Sequence, residues 1–167
     1  MISRRTLLAL SGAALAACAA PFRAVAGALV DETTRALGNS ETIYITPLKK
    51  GGAESTCHSE VWFVYQGGAI YVVTSSKAWR ARAIGLGLDQ ARMWVGEFGV
   101  WKRANDAFRK APELSATAAV IDDSAMRAQV LEVFGKKYHG EWSDWGPKFK
   151  NGLADGSRVM LRYTPTA

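Results

Sequence analysis

A row of hydroxyl and basic side chains follows a strongly apolar segment in the middle of the chain. Thr74 and Ser75 end the apolar segment, and Lys77 and Arg80 come within the next five residues. Hydroxyl groups, basic side chains and the free N–H groups of a helix start are typical phosphate-binding groups. A helix beginning here would place Lys77 and Arg80, three residues apart, on one face. The pattern predicts a phosphate site, and a merely solvated basic helix face remains the alternative.

Two apolar segments must position these residues. The segments 61–65 and 69–74 are both rich in β-branched and aromatic residues, and Gly67-Gly68 lies between them. Two glycines can supply the positive φ angles of a tight hairpin turn. Because both segments are apolar on both faces, we expect two strands within a closed or covered sheet.

The remaining elements are assigned from periodicity, capping residues and breakers. Asp122-Asp123-Ser124 is expected to cap one helix, and Arg158 and Arg162 should face outward on the last strand. The predicted helices cover 28–37, 77–84 and 124–138, and loops cover 105–113 and 140–152. The further strands cover 41–49, 114–121 and 157–164, and 91–98 with 99–103 form either two strands or one bent strand. Five or six strands with two or three inserted helices predict a mostly β, α+β barrel rather than a doubly wound sheet.

Composition limits the possible functions. The chain has 167 residues, of which 49% are hydrophobic and 22% charged, as expected for one globular domain after the leader. Its 21 basic and 15 acidic residues give a charge of +6, and removing the three arginines of residues 1–26 leaves 18 against 15, or +3. Such a mild charge without a basic run predicts no nucleic-acid partner.

The N-terminus has the pattern of an export signal. Arg4-Arg5 precedes an apolar run that reaches Ala20 and is too short for a good membrane span. We therefore predict a twin-arginine signal over 1–26, export to the periplasm or beyond, and a single mature domain over 27–167. This route carries folded proteins, and it favours a chain that binds a cofactor before export.

Two processing sites are possible in this leader. Ala24-Val25-Ala26 offers small residues for simple cleavage before Gly27. Leu15-Ala16-Ala17-Cys18 instead has the form of a lipobox, which would leave a lipidated Cys18 and a membrane-anchored lipoprotein. Contact with a membrane is expected only in the second case.

Candidate metal ligands are few. The chain has two histidines, His58 and His139, and Cys57 is the one cysteine after residue 26. Structural zinc needs about four ligands in paired spacing, so we predict no metal site. A single axial haem ligand stays open as a minor alternative, and Cys57 is expected to be buried. No nucleophile, base and acid constellation can be assembled, so catalytic side chains cannot be named.

The order of motifs resembles the flavin-binding split-barrel superfamily, which includes pyridoxamine 5'-phosphate oxidase-like and deazaflavin-dependent reductase-like proteins. The similar parts are a VWFV strand at 61–64, a glycine hairpin, an IYVVTSSK strand at 70–77 and a closing strand that ends at Tyr163-Thr164-Pro165. The resemblance covers 41–165. The extended arginine and lysine set of a true pyridoxamine 5'-phosphate oxidase is missing.

This resemblance implies a small split β-barrel, bound FMN or a deazaflavin, and a homodimer with the flavin at its interface. It also implies oxidoreductase chemistry with a small-molecule redox substrate or electron donor. The residues that match the family's phosphate and ring positions are Thr74, Ser75, Lys77, Arg80, Trp62 and Phe63. The alternative is a non-enzymatic cell-envelope module that binds a lipid, haem or a protein in a degenerate cofactor pocket.

Overall fold

One antiparallel sheet forms the body of the protein. A computed structural model of the chain describes residues 31–166. The strands are β1 (Thr42–Pro47), β2 (Ser59–Trp62), β3 (Val64–Gln66), β4 (Ala69–Ser75), β5 (Gln90–Val95), β6 (Glu113–Ile121) and β7 (Arg158–Thr166). They lie in the order β2-β1-β5-β6-β7-β4-β3. The two edge strands, β2 and β3, are consecutive in the chain, so the sheet curls into a nearly closed barrel whose edges are joined by the chain itself.

The barrel is split at Phe63, the single residue between β2 and β3. Trp62 pairs with Thr42 of β1, whereas Val64 pairs with Tyr71 of β4. The chain thus changes its pairing partner within two residues, and the segment predicted as one strand over 61–65 is two. The β3–β4 turn is the predicted glycine hairpin, with φ of 58° at Gly67 and 77° at Gly68.

Helices cover both ends of the barrel and part of its outer surface. They are α1 (Asp31–Asn39), α2 (Trp79–Gly85), α3 (Ser124–Lys137) and α4 (Trp142–Ala154), with short 3-10 turns at Trp101–Arg103 and Ala107–Lys110. Three α-helices are inserted between strands, which confirms the predicted mostly β, α+β split barrel. No helix within residues 31–166 combines the length and apolar character that crossing a bilayer requires.

Two hydrophobic cores share the strand β4. Ile70 and Val72 face the barrel interior, where they pack with residues of β1, β5 and β7. Tyr71 and Val73 face outward and pack against α3 and α4. Because successive strand residues point to opposite faces, a strand between two cores is apolar throughout. The covered sheet predicted from this strand is confirmed.

Several predicted elements are wrong. Residues 99–103 form no strand but include a 3-10 turn, and the loop predicted over 105–113 contains another. The loop predicted over 140–152 is mostly α4, although Pro147 lies inside it. Burial of Phe149 and Leu153 against the neighbouring helix and sheet offsets the weak helix propensity of this segment.

Two further predictions concern the start of α3 and the N-terminal leader. The Asp123 side chain caps α3 by accepting a hydrogen bond from the Met126 N–H at 2.8 Å, as predicted. The predicted leader over 1–26, with Cys18 and both processing sites, lies outside the described residues. Export, lipidation and the boundary at residue 27 therefore remain predictions.

Candidate functional site

A cavity of about 370 Å³ lies on the outer side of the barrel beside the split. It is an open hollow, bordered by β1 and β2 on one side, by β4 and β7 on the other, and by α4 above. Its lining residues are Thr42, Glu60, Val61, Trp62, Val73, Trp145, Phe149 and Arg158. The volume falls in the usual range of ligand sites, about 300–1,000 Å³. Its three aromatic side chains suit a flat ring, and the lining carries one guanidinium, that of Arg158, and one carboxylate, that of Glu60.

Trp62 forms the inner wall of this cavity. Its indole stacks on the Tyr138 ring, with centroids 4.3 Å apart and planes 8° apart. Its ring centroid lies 5.8 Å from that of Trp145 of α4, and the two planes are inclined by 65°. Contacts with Tyr138 and Trp145 thus hold the ring in one orientation, which provides a rigid flat surface.

The family resemblance places Phe63, like Trp62, near the flavin ring, but in the structure the Phe63 side chain points to the opposite face. Its side chain is 0% exposed and belongs to the core inside the barrel. Consecutive residues of an extended chain point to opposite faces, so Trp62 and Phe63 cannot line one surface. Of the two aromatic residues, only Trp62 borders the cavity.

Thr74 and Ser75 are separated in the same way. Thr74 is 4% exposed on the interior side, and its hydroxyl accepts a hydrogen bond from Arg80 Nη1. Ser75 is exposed on the outer side, where its Oγ accepts a hydrogen bond from the Lys77 backbone N–H at 3.2 Å. Thr74 and Arg80 therefore meet on the inner face of β4, whereas the Ser75 hydroxyl lies on the outer face and contacts the backbone of Lys77.

Lys77 and Arg80 do not share a helical face. Because α2 begins only at Trp79, Lys77 lies in the preceding turn, with an exposed side chain. Arg80 turns inward to Thr74, and its Nε is buried without a hydrogen-bond partner among residues 31–166. Ala78 at the helix start provides no side-chain cap. The predicted combination of hydroxyls and cations on one helix start is not present as a single cluster.

Arg158 is the cation that the cavity contains instead. It opens β7 directly opposite Ser75 in the strand pairing. Its guanidinium carbon lies 5.4 Å from the Phe149 ring centroid and 5.9 Å from that of Trp145. The sequence predicted only that Arg158 faces outward. Residues 140–152 were predicted as a loop, so nothing indicated that a helix, α4, would pack over this arginine.

The two histidines lie away from the cavity. His58 Nδ1 is 2.7 Å from the buried Thr46 Oγ1, and its ring centroid lies 5.2 Å from that of Trp101. His139 is exposed, and neither histidine is among the lining residues. Within residues 31–166 no three His, Cys, Asp or Glu residues come together as a metal site. Cys57, expected to be buried, is half-buried and unpaired in this part of the chain.

Two other hollows lack these features. One, of about 470 Å³, lies between the loops 48–52 and 87–90 and has no aromatic lining. Another, of about 500 Å³, lies between α3 and α4 on the side away from the split and is bordered by Trp142, Lys136 and Lys150. Neither hollow combines a strand edge, an aromatic wall and a fixed cation.

Comparison with known proteins identifies the architecture. No family model matches the sequence, and no curated protein matches it. Among solved structures, the haem storage protein HutZ from Vibrio cholerae is similar with a TM-score of 0.57 and 22% identity, over 83% of this chain and 91% of that one. A candidate pyridoxamine 5'-phosphate oxidase from Listeria innocua has a TM-score of 0.52 and 14% identity, over 82% and 93%.

A FAD-binding protein from Mesorhizobium loti is also similar, with a TM-score of 0.50 and 13% identity, over 80% of this chain and 87% of that one. At these identities the likeness concerns the fold. The strand order and the split at Phe63 indicate the same fold as these structural similarities. The chain therefore has the split-barrel fold of pyridoxamine 5'-phosphate oxidase-like proteins, as its sequence resemblance predicted.

Proposed function

We propose that the protein binds a flavin, FMN or a deazaflavin, in the cavity beside the split and uses it for redox transfer. The observation that carries this proposal is the fixed aromatic wall of Trp62, facing Trp145 and Phe149 with Arg158 at its side. A flavin combines a flat apolar ring with an anionic tail, and both features have a counterpart in this lining. A similar fold in a FAD-binding protein supports the choice of ligand class.

The chain's own residues would bind and shield the ring. Trp62 offers one face, and α4 excludes water by placing Trp145 and Phe149 over the cavity. The Glu60 carboxylate accepts a hydrogen bond from the Trp101 backbone N–H at 3.2 Å, which directs it toward the neighbouring turn. A bound flavin supplies hydride and electron transfer itself, so the site needs no side chain as acid or base. A small-molecule substrate or electron donor would enter through the open side.

The absorption spectrum of protein purified from its native compartment tests this proposal. We expect the visible bands of a flavin, either as isolated or after addition of FMN. Trp62→Leu should weaken flavin binding about tenfold or more, because stacking on an aromatic side chain contributes roughly 1–3 kcal/mol. Trp101→Leu, outside the cavity, is the matched control. Wild-type protein that takes up no flavin would refute the proposal.

A non-enzymatic haem-binding module is the second candidate, because the fold is shared with a haem storage protein. The position of the histidines argues against it, since neither His58 nor His139 lines the cavity. Haem and flavin have different spectra, so the same purification separates them. An intense Soret band that persists in a His58→Ala, His139→Ala double variant would favour haem held by another ligand.

We further propose that the protein is exported by the twin-arginine route and acts as a homodimer. Export rests on Arg4-Arg5, and replacing both with lysine should keep the protein in the cytoplasm in a fractionation experiment.

The dimer is supported by large apolar side chains that stay exposed, among them Leu86 at 65% and Val100 at 46%. Sedimentation equilibrium of the mature chain would measure its mass directly.

A further inference from the structure

Arg158 is an unpaired cation inside an aromatic cavity. No carboxylate of residues 31–166 lies within ion-pair distance of its guanidinium. The guanidinium instead lies over the rings of Phe149 and Trp145. A cation–π contact alone contributes little at a partly exposed site, so it does not by itself explain a charge held here. The arrangement leaves the donor groups of Arg158 available to a ligand.

Gly152 fixes the position of this arginine. A Cβ atom at Gly152 would lie only 2.7 Å from Cγ and Cδ of Arg158. The absence of a side chain in α4 therefore leaves room for the arginine stem, which runs against the helix backbone toward the cavity. A stem that is packed along its length loses little further freedom when the guanidinium binds a ligand.

Other cations near the site are unsuitable for this role. Arg80 donates to Thr74 on the inner face of β4, and Lys77 is exposed in the turn before α2. Lys148 lies over Trp145 at 4.6 Å but does not border the cavity. Ser75, paired with Arg158 across the strands, is the hydroxyl nearest in register on the outer face.

We propose that Arg158 is the residue that recognises the anionic group of the ligand, a phosphate ester whose flat ring lies against Trp62. This inference rests on the proposed flavin site and relocates its anion partner from the start of α2 to the start of β7. A planar guanidinium binds a phosphate through two parallel hydrogen bonds. The ring stacks on the aromatic wall whether or not the phosphate is present.

Affinities for FMN and for riboflavin, which lacks the phosphate, test this assignment. Arg158→Gln should weaken FMN binding about 10- to 100-fold and riboflavin binding less than about threefold. Gly152→Ala keeps the charge but displaces the stem, and it should also weaken FMN more than riboflavin. Lys148→Gln is the matched control and should change neither affinity. Equal losses for both flavins, or no loss, would overturn the assignment.

A second ligand keeps this inference separate from the flavin proposal. Inorganic pyrophosphate should bind wild-type protein in a calorimetric titration and bind Arg158→Gln at least about tenfold more weakly. If wild-type protein binds neither flavin but shows this difference, the flavin proposal fails and the anion site stands. If pyrophosphate and FMN binding are both independent of Arg158, the anion site fails. Circular dichroism of each variant confirms that it is folded.

Discussion

The Tyr138 hydroxyl lies 2.8 Å from both the backbone nitrogen and the carbonyl oxygen of Phe63. It accepts the Phe63 N–H, and its own hydrogen is directed to carbonyl oxygens of Phe63 and, at 2.7 Å, of Glu41. At Phe63 the chain leaves β1 and has not yet paired with β4, so these backbone groups need another partner. One side chain from the end of α3 thus completes the hydrogen bonding of the barrel split.

Tyr138→Phe should lower the free energy of unfolding by about 1–3 kcal/mol, because it leaves a buried N–H without a partner. Urea denaturation measures this loss, and hydrogen exchange at the Phe63 amide should accelerate. Tyr71→Phe is the control, since that hydroxyl makes no hydrogen bond within residues 31–166, and a change within about 0.5 kcal/mol is expected. Equal effects of both substitutions would contradict the role given to Tyr138.

The Lys137 ammonium lies over the face of the Phe63 ring. Its Nζ lies 3.6 Å from the Phe63 ring centroid. Burial lowers the pKa of the Lys137 ammonium from 10.5 to about 8, and the negative charges of Glu41 and Glu97 only partly oppose this shift. In the unfolded chain the amine keeps its ordinary pKa. Below pH 8 the folded protein must therefore carry a charge that burial disfavours.

The stability of wild-type protein should consequently rise relative to Lys137→Met as the pH increases from about 8 to 10.5. Since the side chain is partly exposed, we expect a relative gain of about 1 kcal/mol. Comparing both proteins by urea denaturation across this range cancels the titration of other groups. A difference that stays constant with pH would show that Lys137 titrates normally.

Thr74 and Arg80, two of the predicted phosphate ligands, are hydrogen-bonded to each other and do not border the cavity. Thr74→Val keeps the shape of the side chain but removes the acceptor of the Arg80 guanidinium. We expect a loss of about 1–2 kcal/mol in urea denaturation and no change in FMN affinity. Ser75→Ala, at an exposed position, should alter stability by less than about 0.5 kcal/mol. Selective loss of FMN binding in Thr74→Val would instead place the phosphate at α2.

Local sequence patterns predicted the elements whose structure is set locally. Gly67-Gly68 between two β-branched segments specified the hairpin, and Asp123 specified the start of α3. The break at Phe63 could not be predicted in this way, because it depends on β1 and β4, which approach from distant parts of the chain. The separation of Thr74 from Ser75 follows from strand alternation, but only once β4 is known to extend through Ser75.

The cavity was the least predictable feature, because its roof is α4. Glycines and Pro147 are typical of a loop, but the segment is a helix that begins at Trp142 and packs on the Trp142 indole. The indole lies between Gly135 of α3 and Gly146 of α4, where added Cβ atoms would come within 2.8 and 2.9 Å of it. Helix propensity alone disfavours these glycines, but close packing of two helices requires them.

The effect of Gly146→Ala on stability therefore distinguishes helix propensity, which favours alanine, from packing against Trp142, which favours glycine. Alanine usually stabilises a helix interior relative to glycine by about 0.5–1 kcal/mol. Here we expect a net loss of about 1–3 kcal/mol, because the methyl group must displace the Trp142 indole. Gly38→Ala in α1 is the matched control, since nothing lies within 4 Å of its added Cβ, and it should be neutral or stabilising. If both substitutions stabilise the protein equally, the Trp142 contact does not hold α4 against α3, and the roof of the cavity must be held by Phe149 and Leu153 alone.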